Sequence, residues 1–243
     1  MPTAPDVPRV VLHVWRVRSP LRALLRMGTD GRPLARSGAA FVKLLGTAGS
    51  GFGLRDADLR RWALLTTWTD PAGADALDRH PVVRGWDALA VERARFDLAP
   101  LSTTGRWDGV EPFGSPATDR PDLHDGPVLA ITRARLHRRT SPRFRRSVPP
   151  VAAELAASPG LLASFGVGER PVGLLGTFSV WADEAALLAF ARRAPSYVAV
   201  ARASRGQDWF AEELFSRFAV TAAEGVLDGR PVPRFPAAGA PSP

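Results

Sequence analysis

The chain predicts an α+β fold: two tandem ferredoxin-like βαββαβ repeats whose antiparallel sheets face one another in a barrel-like arrangement. Three observations in its 243 residues carry that expectation. The same order of strand-like and helix-like runs occurs twice. In both copies a strand ending in Trp-x-Asp precedes an Ala/Leu-rich helix, at Trp68-Thr-Asp70 and at Trp181-Ala-Asp183. Each copy also ends on a related turn, Gly105-Arg-Trp-Asp-Gly109 and Gly225-Val-Leu-Asp-Gly229. A ferredoxin-like sheet buries one face under its own helices and leaves the other in need of a partner, so two copies can close their open faces on each other. The interior between them is a natural place for a flat apolar ligand.

The elements follow in order. Alternation through Leu12, Val14 and Arg16 makes residues 10–17 a half-buried strand. Ser19-Pro20 opens a helix, with Ser as N-cap, Pro in the first turn, and Leu21, Leu24 and Leu25 on one face. Residues 41–46 form a second strand, 49–53 a flexible glycine-rich loop and 62–68 a third strand. Asp70-Pro71 caps a helix that carries Ala74 and Leu77 and is expected to continue past His80-Pro81 to Trp86 and Leu89. Residues 95–98 complete the first copy. In the second, 128–135 is a strand, and Ser141-Pro142 begins a helix with Phe144, Val148, Val151 and Leu155 that Pro149-Pro150 should kink. Strands at 161–167 and 174–181 follow, then a helix capped by Asp183 through Leu187 and Phe190. A segment around Tyr197, a helix at 207–214 and a strand at 217–220 close the copy. The organisation is an arm over 1–9, repeats over 10–109 and 127–230, a linker over 110–126 and a loose tail over 231–243.

Composition narrows the chemistry. There is no cysteine, which removes disulfides, thiolate nucleophiles, iron–sulfur clusters and cysteine zinc sites. It also fits a reducing cytosol, the expected location. The net charge of +8 comes almost wholly from arginine, since Lys43 is the only lysine. No basic patch with interleaved aromatics stands out, so no nucleic-acid partner is expected. The densest basic run, from Arg133 to Arg146, reads as a solvated face, with a peripheral membrane contact as its alternative. His13, His80, His124 and His137 lack metal-ligand spacing, and the serines lack a nucleophile-elbow pattern. The Gly166-Val-Gly168 run lacks dinucleotide-binding spacing and reads as a turn, or as backbone that approaches a ligand closely. Tyr197, the single tyrosine, follows Ala194-Pro195. Its spacing suits a packed, helix-flanking residue; a phenolate beside an arginine is also a haem-iron ligand.

Taken together, the segments from about Val10 to Val220 resemble the spheroidene monooxygenase family of carotenoid oxygenation enzymes, relatives of dimeric α/β-barrel proteins. The resemblance is carried by Phe41-Val-Lys-Leu-Leu-Gly46 with the loop after it, Gly105-Arg-Trp-Asp-Gly-Val-Glu-Pro-Phe113, Leu129-Ala-Ile-Thr-Arg-Ala-Arg135 and Val148-Pro149. Gly166-Val-Gly-Glu-Arg-Pro171, Thr177-Phe-Ser-Val-Trp181 and Trp209-Phe-Ala-Glu-Glu-Leu-Phe-Ser-Arg-Phe218 complete it. It implies haem b in the barrel interior and monooxygenase chemistry on a small apolar or natural-product substrate. The electrons come from an external reductant, or peroxide serves instead. Counting back from the Trp209 motif places Tyr197 where the family pattern has a histidine, which makes Tyr197 the expected iron ligand. Lys43 and Arg205, at basic positions of the pattern, are expected to meet a haem propionate or stabilise another polar group. Leu174-Leu175-Gly176 replaces a polar residue of the pattern, which together with Tyr197 puts spheroidene itself in question as substrate. Haem lyase or dehydratase chemistry on the same scaffold, or a haem- or lipophile-binding carrier without turnover, are the alternatives. Open sheet edges also invite a homodimer.

Overall fold

A computed structural model describes residues 8–49, 56–114, 122–137, 141–169, 176–207 and 209–232, with the backbone alone at 141–143, 145 and 204–207. In the first half β1 (Arg9–Val17) pairs antiparallel with β3 (Ala57–Trp68) and β4 (Ala90–Gly105), and β2 (Phe41–Ala48) lies on the far side of β3. In the second half β5 (Val128–Leu136) pairs with β7 (Gly176–Trp181) and β8 (Phe210–Leu227), and β6 (Leu161–Gly168) lies beyond β7. The strand orders are therefore β4-β1-β3-β2 and β8-β5-β7-β6.

Two seams join the halves. A long one runs between β4 and β8, from Ala94 opposite Gly225 to Gly105 opposite Leu214. A short one joins β2 to β6, with Gly46 opposite Gly168 and Ala48 opposite Gly166. The Gly166-Val-Gly168 run thus belongs to a strand and closes the barrel. The expected pair of facing sheets is instead one continuous, closed eight-stranded antiparallel barrel. The physical reason lies in β4 and β8: both run past their own half, and pairing with each other satisfies edge groups that two separate sheets would leave bare. The two-residue β9 (Arg230–Pro231) folds back on β8.

Alternate side chains point inward. Val10, Leu12, Leu45, Leu65, Phe96, Leu129, Ile131, Phe165, Phe178 and Phe218 meet there in one buried cluster, with Trp107 and Phe113 packed in as well. Phe113 and Phe218 make an edge-to-face contact at 4.9 Å, and Phe165 and Phe178 another at 5.6 Å. The interior is a core filled by side chains. It is not the haem chamber that the resemblance implied.

The helices cover the outside. Ser19 caps α1 (Pro20–Thr29), as expected, but Ala23 is its buried residue, while Leu21 and Leu25 face solvent. The short α2 (Gly31–Ala35) follows. Asp70 caps α3 (Pro71–Ala76), and a 3₁₀ turn over Leu77–Arg79 leads to α4 (Pro81–Asp87). The single long helix expected here breaks at His80, whose ψ is 132°. A residue before proline is driven out of the helical region, and the His80 ring accepts from Val82 N as the N-cap of α4. In the second half come α5 (Ser141–Ala156), α6 (Glu184–Arg193) capped by Asp183, and α7 (Pro195–Gln207). Of the helix expected at 207–214, Gln207 ends α7 and the residues from Phe210 belong to strand β8 (Phe210–Leu227). Glu212, Leu214, Ser216 and Phe218 face the barrel and Glu213, Phe215 and Arg217 face away, a period of two that apolar composition alone hid. Among the described residues no helix is long and apolar enough to cross a membrane. The 49–53 loop lies mostly outside the described residues, as do most of the arm and tail.

The likeness of the halves extends to side chains. The Trp68 indole donates to Thr66 Oγ1 at 2.9 Å, and the Trp181 indole to Ser179 Oγ at 2.9 Å. Asp70 accepts from Ala72 N and Asp183 from Ala186 N. The two closing turns match also. Gly105 and Gly225 have φ of 93° and 94°, and Asp108 and Asp228 have φ of 53° and 52°. A Cβ at either glycine would collide with the neighbouring strand, at Glu213 O or Arg93 O.

Candidate functional site

The outer face of each half-sheet is where the halves part. With Trp68 set against Trp181, the strand registers match Leu64 to Thr177, Val11 to Ala130 and Trp15 to Ala134. The same registers match Leu44 to Gly166 and Val42 to Ser164. Each large residue of the first half stands where the second half has a small one.

In the first half these residues are sealed beneath α1–α4 by Leu34, Leu77, Val83 and Trp86. Trp86 stacks on Trp15 at 5.5 Å and meets Trp62 at 5.7 Å. In the second half the buried apolar contacts under the helices centre on Val128, Ala130, Trp181 and Leu187. The rest of the floor consists of Ser164, Gly166, Thr132, Thr177 and Ser179. Here α5 packs on β6, α6 on β7, and α7 against α5 and α6. A cleft of about 330 Å³ opens between α5 and α7, lined by Ser147, Pro150, Ser196, Ala199, Val200, Ala203 and Trp209.

Glu154 of α5 holds the start of α7. Its carboxylate accepts from Ser196 Oγ at 2.7 Å and Ser196 N at 3.0 Å, and these bonds with one from Tyr197 N–H lower its pKa. It performs from a neighbouring helix the work of an N-cap. At the other end of the cleft, Trp209 meets Phe144 edge to face at 6.3 Å, and the His137 N–H donates to Trp209 O at 3.1 Å.

The expected site residues are not brought together. Tyr197 lies on α7, half-buried, with its ring 5.1 Å from Phe190, which in turn lies 5.5 Å from Trp181. It is adjacent to Ser196 but outside the stripe of α7 that lines the cleft. Arg205 lies near the end of α7, and its side chain is outside the described residues. Lys43 is elsewhere, at an inward position near one mouth of the barrel. Its ammonium bonds to Asp108, and to Glu169 at 3.2 Å, and lies 5.8 Å from the Trp107 ring centroid.

That mouth holds a cluster which the sequence reading missed. Arg133, expected on a solvated face, is 5% exposed. It pairs with Glu212, and with Glu169 at 2.9 Å, and the Trp107 indole donates to Glu169 at 2.7 Å. Burial raises the Glu212 carboxyl, but bonds from Gly109 N, Asp108 N and Arg133 outweigh it and bring it down to about 2. The opposite mouth repeats the plan, with Asp228 bound by Arg61 and by Arg16 at 3.1 Å. The repeated Gly-x-x-Asp-Gly turn was the available signal: each Asp, held at positive φ, gathers two basic residues from the strands.

The histidines are largely committed to the fold. His13 is fully buried, stacked on Trp15, with Nε2 2.8 Å from Asp78 Oδ1. Burial dominates its titration and lowers its pKa, with Asp78 opposing. Among the described residues no group of three or more His, Asp or Glu side chains is arranged to hold a metal ion. Haem makes a smaller demand: a flat, largely apolar slot and an axial donor. The packed interior does not fit it. The outer layer of the second half meets part of that demand, with a small-residue floor and a largely apolar cleft between α5 and α7, while Tyr197 packs on Phe190 beside the cleft.

No family model matches the chain. The spheroidene monooxygenase of Rhodobacter capsulatus is 36% identical over 192 residues, covering 78% of this chain and 79% of that protein. The spheroidene monooxygenase of Rubrivivax gelatinosus is 38% identical over 200 residues, covering 81% and 75%. Among solved structures, an aldoxime dehydratase shares the fold at a TM-score of 0.58 and 12% identity, over 90% of this chain and 83% of that one.

Proposed function

Because the chain belongs to the spheroidene monooxygenase family, we propose that this oxidoreductase places one oxygen atom on a small, extended apolar substrate held between the second-half sheet and its helices. The observation that carries this reading is the replacement of Leu44, Leu64 and Trp15 by Gly166, Thr177 and Ala134 at matching positions. An equivalent layer, filled by large side chains in one half, carries small ones in the other, where a cleft opens beside it between α5 and α7.

Haem b would be held in that layer, with Tyr197 ligating its iron and Arg205 meeting a propionate. When bound, haem supplies the oxygen-activating iron. The chain's own residues do the rest. Glu154 fixes the first turn of α7 and with it the backbone on either side of Tyr197. Phe190 supports the tyrosine ring. Ala199, Val200 and Ala203 offer an apolar wall that excludes water, and Trp209 closes one end. A phenolate donor favours ferric iron, which suits peroxide use or tight haem retention. With molecular oxygen, the second oxygen atom leaves as water and the electrons come from an external reductant. Lys43 is engaged with Asp108 and Glu169 on the inner side of the barrel wall, so its role is to tie the mouth together.

Protein reconstituted with haem tests the assignment through its absorption spectrum. Tyr197→Phe is expected to shift the Soret and charge-transfer bands and weaken haem retention. Unchanged bands would remove Tyr197 as the ligand while leaving the cleft assignment standing. Ala199→Trp, which fills the cleft, tests it separately and is expected to prevent haem or substrate uptake.

A further inference from the structure

Helices α1 and α2 carry a face that no other part of the described chain covers. Asp30 joins them in a helical conformation, its N–H donating to Arg26 O at 2.8 Å and its carbonyl accepting from Leu34 N at 3.2 Å. At about 100° per residue, Leu25, Gly28, Arg32 and Arg36 fall within about 60° of Leu21. Ala23 and Leu34 face the barrel. On the outer side Leu21 is 69% exposed and Leu25 66%. A Cβ added at Gly28 or Gly31 meets nothing within 4 Å.

Arg18, Arg22, Arg32 and Arg36 are exposed around the two leucines. None of the four pairs with a carboxylate among the described residues. The acidic residue of this stretch, Asp30, is engaged by Arg26 at 3.0 Å. The face therefore combines protruding apolar side chains with unneutralised guanidinium groups.

Those two features together select the partner. A nucleic acid would take the arginines and leave the leucines in water. An acidic protein surface would need pockets matched to Leu21 and Leu25. An anionic bilayer takes both, the leucines at the acyl boundary and the guanidinium groups at the phosphates. We propose that the α1–α2 face docks the protein on an anionic lipid surface. This does not rest on the oxygenase reading, since the face belongs to the opposite half from the cleft.

Flotation of the full-length protein with vesicles tests it. Binding is expected to vesicles of equal parts phosphatidylcholine and phosphatidylglycerol, not to phosphatidylcholine alone, and to fall as salt rises. The triple variant R22Q/R32Q/R36Q should bind about a hundredfold more weakly, and L21S/L25S about tenfold more weakly. All five side chains are largely in solvent, so both variants should keep the parent melting temperature, which verifies that they fold. Three results would overturn the proposal: no flotation, flotation unchanged in L21S/L25S, or equal binding to neutral vesicles. A concentration-dependent dimer that L21S/L25S abolishes would also overturn it, by giving the face to a second copy of the chain. So would salt-sensitive binding to RNA that is indifferent to the leucines.

Discussion

The two halves of the barrel share strand order, capping aspartates, Trp-to-hydroxyl bonds and closing turns, yet treat one layer in opposite ways. Under α1–α4, Trp15, Trp62, Leu64, Trp68 and Trp86 form a sealed second core. Under α5–α7 the positions matching Trp15, Leu44 and Leu64 hold Ala134, Gly166 and Thr177, while Trp181 matches Trp68, and a cleft opens between α5 and α7. Two halves of one strand order can therefore differ in a layer by side-chain volume alone. One fills its outer face with large apolar side chains, and the other lines that face with small ones.

The comparison can be broken by exchanging residues at matching positions. Trp62→Ala should cost about 3–5 kcal/mol, because a fully buried indole leaves a cavity among aromatic neighbours. A melting temperature close to the parent's would show that the first-half layer is not the second core described above. The reciprocal pair is sharper. Leu64→Thr should destabilise by about 2–4 kcal/mol, through lost packing and a buried hydroxyl. Thr177→Leu should change stability by less than about 1 kcal/mol, since Thr177 is only partly buried, while depressing uptake of an apolar ligand. Chemical denaturation of the two single variants gives both numbers; equal costs would remove the asymmetry.

A smaller effect distinguishes the barrel mouths from both layers. The Glu212 carboxyl titrates lower in the folded chain than its ordinary value of 4.5. An acid with a depressed folded pKa contributes stability that is complete above its unfolded pKa and is lost as pH falls through the folded one. Between pH 4.5 and about 2 the melting temperature should therefore fall, and Glu212→Gln should flatten that slope while leaving the profile above it unchanged. A slope insensitive to Glu212→Gln would assign acid sensitivity to other carboxylates.

Much of this architecture is local and so legible in the chain. Ser19, Asp70 and Asp183 announced helix starts because a cap depends on a few neighbouring residues. The strands at 10–17, 128–135 and 161–167 showed in short apolar runs. Other features depended on neighbours distant in sequence. Residues 207–214 look helical by composition, but pairing of β8 with β4 and β5 makes them strand from Phe210 onward. Leu21 and Leu25 sit at helical spacing, yet Ala23 faces the core, because the tilt at which α1 meets the sheet decides which stripe is buried. Tyr197 stood out by being the single tyrosine, and its placement against Phe190 required α6 and α7 to meet.

The amino-acid sequence by itself determined that the fold is α+β, that cysteine chemistry is absent, and that the family is that of the spheroidene monooxygenases. Those conclusions rest on order, spacing and composition, which need no third dimension. Tertiary structure decided that two half-sheets close into one barrel, that its interior is full, and that a cleft opens between α5 and α7 outside the second half. Burial and volume are properties of side chains assembled from remote strands: Thr177 becomes a floor, and Leu64 a core, only when each is seen beneath its own helices.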